Sequence, residues 1–164
     1  MYYSTFIVDQ QLYAFQLGYV QEYAEALPYS SLPEPHGSII GIGNLRGQIV
    51  SVLDLRHRLT GEFIDSGEAQ FVVIRGSNNL EGVKVDFDRQ YTSKEPVAIK
   101  VHDRGDVLEI SNDKIKPCSS HGDESYRAYV KNMVEMDEQI LLILDLQAIL
   151  GCKDPEQVEV SAEA

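Results

Sequence analysis

Four histidines, two cysteines and one glycine-spaced stretch are the first places to look for chemistry in this chain of 164 residues. His36, His57, His102 and His121 are scattered, and no two lie three or four residues apart, so no helix face offers a pair to a metal or substrate. Cys118 and His121 form one isolated C-x-x-H, where a structural zinc site needs two further ligands at matching spacing; the segment reads as a loop. Cys118 and Cys152 are expected as thiols of a reducing compartment, with a cross-link between them as the alternative. Gly41-x-Gly43-x-x-x-Gly47 comes near a dinucleotide fingerprint, but its third glycine is one place late and it leads into a β-type run instead of a helix. No G-x-S-x-G, H-E-x-x-H or Walker pattern occurs. The expectation is therefore no catalytic residue, no cofactor and no metal.

What remains is Asn44-Leu45-Arg46-Gly47, a turn between two apolar runs. Backbone shape accounts for asparagine and glycine there, since both accept left-handed geometry. It does not account for Arg46, whose planar fork of five donors suits a carboxylate or a partner's carbonyls. Glu22, in a stretch devoid of positive charge, is the carboxylate expected to pair with it. Spacing alone leaves this reading level with that of one solvated surface arginine.

The elements that must position this turn are mostly β-type. Thr5-Phe6-Ile7-Val8 and Leu12-Tyr13-Ala14-Phe15, separated by Asp9-Gln10-Gln11, predict a hairpin. Val20 to Leu27 has apolar residues at helical spacing and predicts about two turns of helix. Ser31-Leu32-Pro33-Glu34-Pro35 should break any regular element, because each proline lacks an N–H and pushes its predecessor towards extended geometry. Ile39 to Leu53 predicts a second hairpin around the Gly-rich turn. Asp54 then stands as an N-cap, with Leu55 and Leu59 on one face and Gly61 as the stop, so a short helix follows; His57 on it is expected in solvent. Phe71 to Ile74, Val83 to Val85, Pro96 to Val101 and Asp106 to Ile110 are further strand candidates, residues 117–126 read as loop, and 153–164 as an acidic, flexible tail.

The chain also resembles itself. Gln48 to Leu59 aligns with Gln139 to Leu150, with identities at Gln, Ile, Leu, Asp, Leu and the final Leu, and Gly61 and Gly151 follow closely. Upstream, Phe6-Ile7-Val8 has Phe71-Val72-Val73 as its counterpart. Convergent strand, cap and helix endings are the bland explanation; the shared register favours two related β units, roughly 6–61 and 71–151, within one domain of residues 1–152.

With 43% apolar and 24% charged positions, the chain suits one compact domain. Its 26 acidic against 14 basic side chains give a net charge of −12, which disfavours nucleic acid and anionic membrane surfaces. No run approaches the roughly 20 apolar residues of a bilayer span, and the start lacks the basic flank and apolar block of a secretion signal, so a cytoplasmic protein is expected. The acidity is uneven. Only residues 31–60 are locally positive, with Arg46, Arg56 and Arg58 against Glu34 and Asp54.

Residues Gly41 to Arg56, GIGNLRGQIVSVLDLR, closely resemble the signature of the CheW-like domain family, G-v-x-N-L-R-G-x-i-x-P-v-x-D-L-R. Phe6-Ile7-Val8 and Tyr13-Ala14-Phe15 are similar to the family's opening strands, Val20-Gln21-Glu22 to its V-x-E segment, Leu32-Pro33 to the proline before the signature, Gly82 to Asp86 to its g-x-x-V-D strand, and Ile140 to Leu150 to its closing strand and helix. The resemblance implies a mainly β fold of two intertwined, SH3-like five-stranded β-barrels with short helices. It further implies a stand-alone, non-catalytic adaptor of bacterial chemotaxis, in the cytoplasm at receptor arrays on the inner face of the membrane and without inserting into it. Its implied partners are the cytoplasmic hairpin tip of a chemoreceptor, the regulatory domain of the histidine kinase CheA, and other CheW-like proteins. The implied partner-binding residues are Val20, Glu22, Asn44, Leu45, Arg46 and Gly47, with the kinase and other adaptors packing on apolar barrel ends. Ser51 replaces the signature's proline, restoring a backbone donor with a possible effect on edge behaviour; Lys131 stands where the family often has glycine; and the insertion around 102–124 is longer and more charged than the motif requires. These departures admit a pilus-motility or other chemosensory-like array as the setting. A small β-barrel enzyme or metabolite binder is the rival from another class, with no motif in its favour.

Overall fold

The computed structural model describes residues 1–65, 69–76, 95–118 and 128–151. The strand candidate at 83–85, the 82–86 likeness, His121, Cys152 and the tail lie outside the described residues, as does the insertion beyond residue 118. Twelve strands are described: β1 Tyr2–Val8, β2 Gln11–Gln16, β3 Val20–Ala24, β4 Tyr29–His36, β5 Ile39–Leu45, β6 Gln48–Asp54, β7 Gln70–Ile74, β8 Val97–Val101, β9 Asp103–Glu109, β10 Ile115–Pro117, β11 Val130–Glu135 and β12 Ile140–Leu144. Helices α1, Leu55–Thr60, and α2, Leu146–Gly151, follow β6 and β12.

The strands form two six-stranded sheets, in the orders β10-β11-β12-β2-β1-β9 and β4-β5-β6-β8-β7-β3. Adding six to each label of the second order, with β7 and β8 returning to β1 and β2, gives the first. Each sheet therefore takes an antiparallel pair of strands from one half of the chain and four strands from the other, and among the described strands the parallel junctions are β12 on β2 and β6 on β8. This is the intertwined, mainly β architecture implied above, with a sixth strand hydrogen-bonded into each sheet.

Burial follows the exchange. Val50, Val52, Phe71, Val73 and Ala98 pack with Leu27 on one face of the second sheet, and Tyr3, Leu12, Val134, Leu141 and Ile143 on one face of the first. Between the sheets lies a shared core in which Phe6, Phe15, Leu53 and Ile99 meet Leu55 and Leu59 of α1 and Leu146 and Ile149 of α2. Strands buried on both faces read as continuous apolar runs, which is why β8 is apolar on both sides except at Lys100. No described helix is long and apolar enough to cross a membrane.

Several local expectations give way to tertiary pairing. The segment from Val20 is strand, not helix: a 3-10 turn at Leu17–Tyr19 leads into β3, whose Val20, Glu22, Tyr23 and Ala24 pair antiparallel with Ile74 to Phe71. Four residue pairs with β7 outweigh the weak preference of an eight-residue window. Pro33 and Pro35 fall within β4, where its pairing with β5 shifts register between Ser31 and His36; β4 is the sheet's edge, so the chain continues as strand although the prolines offer no N–H. Ser51 lies in β6, flanked by β5 and β8, so its restored donor belongs to an internal strand and has no edge to alter. The upstream repeat is shifted as well. With Ser51 equivalent to Leu142, the registers make Tyr13 equivalent to Val97 and Phe6 to Ile74, so Phe71 answers Tyr3 instead of Phe6.

Both strand-to-helix junctions are capped alike. Asp54 accepts from His57 N at 3.1 Å and Asp145 from Ala148 N at 3.2 Å, and Gly61 closes α1 at φ 85. Asp54 is completely buried and also accepts from Ile64 N at 2.8 Å, so one carboxylate holds both the start of α1 and the strap behind it. That strap lays Phe63 on the His57 ring, with centroids 4.1 Å apart and planes 7° from parallel, while Ser38 Oγ meets His57 Nδ1 at 3.0 Å. His57 is thus half-buried in a packed contact, not in solvent.

Candidate partner-binding site

Leu45 pairs with Gln48, leaving Arg46 and Gly47 as a two-residue hairpin turn. Both have positive φ, 53° and 84°, the pattern that matches the twist of the flanking strands and that asparagine–glycine pairs favour. Glycine meets it without strain, and a Cβ at Gly47 would touch nothing within 4 Å. Arginine does not: a non-glycine residue in left-handed geometry costs roughly 1 kcal/mol. Asn44 stabilises the turn from its own position by accepting from Gly47 N at 2.8 Å through its side-chain oxygen.

From this turn Arg46 Nη1 donates to Glu22 Oε2 at 2.8 Å. The pairing expected from charge is therefore formed, and it spans the sheet, from β3 at one edge to a turn joining two strands near the other edge. Only a strongly curled sheet brings them together. The two side chains are unequal: Arg46 is 77% exposed and Glu22 19%. The carboxylate is built into the wall, while the guanidinium holds it with one nitrogen and keeps most of its fork in water.

The strand carrying Glu22 is tied to the opposite sheet by its next residue. Tyr23 Oη lies 2.5 Å from Ser4 Oγ and donates to Thr5 O at 2.8 Å, both on β1. Burial pushes the Tyr23 phenol above its ordinary 10.0, with the Ser4 hydrogen bond and the Arg104 charge pulling the other way.

The remaining expected partner-binding residues divide. Val20 is 6% exposed and belongs to the shared core, and Leu45 packs against the Val50–Phe71 cluster, so these two fix the backbone of β3 and of the turn. Asn44 and Gly47 are exposed but serve the turn's geometry. Accessible recognition chemistry thus concentrates on Arg46, with Glu22 behind it.

Residues not anticipated as part of this surface flank the turn. Ile49 is 68% and Ile42 48% exposed on the outer face of the β5–β6 hairpin. With Pro28, Tyr29 and Asn44 they line a shallow depression of about 420 Å³. Isolated exposed apolar residues are ordinary, but two on adjacent strands beside a charged turn form a patch. The run Gln48-Ile49-Val50-Ser51-Val52-Leu53 held part of the signal, since alternation sets Ile49 on the face opposite Val50 and Val52; that face is open at Ile49 and closes into the shared core only at Leu53.

Among the described residues, no three His, Cys, Asp or Glu side chains come together as a metal site. The chemistry on offer is recognition: a delocalised cation beside an apolar patch, suited to an acidic, amphipathic segment.

The family model described as CheW-like domain matches residues 3–153. The chain is similar to the protein named "Probable chemotaxis protein CheW" of Rhizobium etli, 19% identical over 157 residues that cover 90% of this chain and 92% of that one. It is also similar to the "Chemotaxis protein CheW" of Klebsiella aerogenes, 22% identical over 162 residues, 97% of this chain and 87% of that protein. In three dimensions it matches the crystal structure of the scaffolding protein TtCheW from Thermoanaerobacter tengcongensis with a TM-score of 0.71, at 21% identity and 90% coverage of both chains.

Proposed function

The chain belongs to the CheW-like domain family, and from that premise we propose that it is a non-catalytic coupling adaptor of chemotaxis, joining chemoreceptors to the histidine kinase CheA at cytoplasmic receptor arrays. The observation that carries the site assignment is Arg46: a residue type poorly suited to a left-handed turn, 77% exposed, at the one positively charged stretch of an acidic chain. Strain retained at an exposed turn points to function. In this reading the receptor's helical hairpin tip lays an acidic side chain on the fork of Arg46, with Glu22 fixing the fork's direction. Ile42 and Ile49 supply apolar contact beside it. The regulatory domain of the kinase and other CheW-like proteins pack on apolar surface at the barrel ends.

Arg46→Glu tests the assignment. The variant is expected to fold as the wild type, and its binding to receptor membranes to weaken by about tenfold or more, because a desolvated charge contact at an interface is worth roughly 2 kcal/mol or more. Receptor-stimulated kinase activity at the wild-type level would remove Arg46 from the site. Co-purification with a kinase that carries its own CheW-like domain tests the adaptor reading separately. A large, saturable thermal stabilisation by a nucleotide or metabolite would favour a small-molecule binder instead.

A further inference from the structure

The internal repeat gives the Arg46 site a counterpart in the other sheet, and the counterpart has the opposite chemistry. Gln48 is equivalent to Gln139, and the β11–β12 turn is closed by Met136 N donating to Gln139 O, so Asp137 occupies the position of Arg46. On the strand next to the edge, Thr5 of β1 is equivalent to Val73 of β7 by the registers above. Val73 faces Glu22, and Thr5 faces the bulge at Asp106, whose carbonyl accepts from the Thr5 hydroxyl at 2.5 Å. Asp106 therefore stands where Glu22 stands. One unit closes the gap between edge strand and hairpin turn with an ion pair; the other sets a carboxylate on each side.

Between the end of β9 and that turn lies a groove of about 260 Å³. Its floor is Leu108, Ile110, Val134 and Met136, continuous with the buried cluster of the first sheet. Its rim carries Glu109, Glu135 and Asp137 against Lys114, and Lys116 reaches Glu135 at 3.6 Å. Asp106 on β9 and Glu138, next to Asp137 in the turn, are two further exposed carboxylates outside the groove's lining. An apolar floor under a net negative rim, with Asp137 in the place where Arg46 sits in the sister unit, is complementary to a ligand that brings a cation.

We propose that this groove docks a basic, amphipathic segment of a partner protein, whose lysine or arginine lies between Asp137 and the end of β9 while its aliphatic side chains cover Leu108 and Met136. The assignment stands apart from the coupling reading, because it uses no residue of the Arg46 site.

A fluorescein-labelled twelve-residue peptide of alternating arginine and leucine is a suitable probe, with glutamate in place of arginine as the control peptide. Anisotropy with the full chain should show saturable binding of the basic peptide alone. Asp137→Lys and Met136→Ser should each weaken it tenfold or more, whereas Glu34→Lys on β4, which changes net charge as much as Asp137→Lys, should leave it within twofold. Circular dichroism checks that each variant is folded. Equal weakening by Asp137→Lys and Glu34→Lys would reduce the effect to overall charge and overturn the proposal. So would the absence of saturation, or a concentration-dependent dimer abolished by Asp137→Lys, which would give the groove to a second copy of the chain.

Discussion

Two hairpin turns in this molecule share a backbone and differ in what surrounds them. Asp9-Gln10 joins β1 to β2 with φ values of 50° and 66°; Arg46-Gly47 joins β5 to β6 with 53° and 84°. Each places a charged residue first, each holds one residue in left-handed geometry that it does not favour, Gln10 in the one and Arg46 in the other, and each charge has an opposite partner. At Asp9 the partner is Arg56, which donates to Asp9 at 2.9 Å, to Glu62 at 3.1 Å and to Phe63 O at 3.1 Å, while Asp9 N donates to His102 Nδ1 at 3.1 Å. Those bonds pin the turn to α1 and its strap, and the Asp9 carboxylate holds the Arg56 guanidinium above its ordinary value. At Arg46 a single bond leaves the fork 77% exposed. The same strain is consumed by the fold at one turn and left facing solvent at the other.

The largest expected effect lies under the anchored turn. Asp54→Ala removes a fully buried acceptor of two backbone N–H groups and loosens the helix that presents Arg56, costing about 2–4 kcal/mol in urea unfolding. Asp145→Ala, which loses one cap bond, should cost about 1 kcal/mol. An Asp54 loss no larger than the Asp145 loss would show that the strap is held by Phe63 and Ile64 alone.

The comparison is sharpened by curing the strain at both turns. Gln10→Gly and Arg46→Asn each install a residue suited to its left-handed position, and each should raise stability by up to about 1 kcal/mol. The account separates them by function: Gln10→Gly keeps receptor coupling and Arg46→Asn loses it. Coupling retained by both would make the two turns equivalent.

The smallest effect is on pH dependence. The Tyr23 phenol holds its proton more tightly in the folded chain than in the unfolded one, so its contribution is complete below pH 10 and fades as pH climbs through the raised folded value. Unfolding midpoints compared between neutral and strongly alkaline pH should fall further for the wild type than for Tyr23→Phe. An identical fall in both would mean that the link from β3 to Ser4 and Thr5 carries no titrating stability.

These contrasts follow what local sequence can and cannot specify. Asp54, Gly61 and the helix between them are legible because a cap acts within four residues. The hairpins at 9–10 and 46–47 are legible because apolar runs flank short polar turns. Strand β3 is not, since its ladder partner lies about fifty residues away, and β4 is not, since prolines forbid an internal strand but not an edge. The position of His57 depends on a strap that returns after Gly61. In the site, Glu22 is the candidate partner of Arg46 because its own stretch holds no positive charge, but spacing leaves that pairing level with a solvated arginine, and the inward packing of Val20 and Leu45 requires the curl of the sheet. The acidic counterpart at Asp137 needs both the repeat and the strand registers.

The central claim is that the Arg46 fork serves a partner and not merely Glu22. The charge-swapped double variant, Glu22→Arg with Arg46→Glu, restores an ion pair between the two positions while reversing the charge presented at the turn. Kinase activity measured with receptor membranes should remain uncoupled in the double variant although its unfolding midpoint stays near that of the wild type. Recovery of wild-type coupling by the swap would show that the pair matters only to the fold, and would contradict the account.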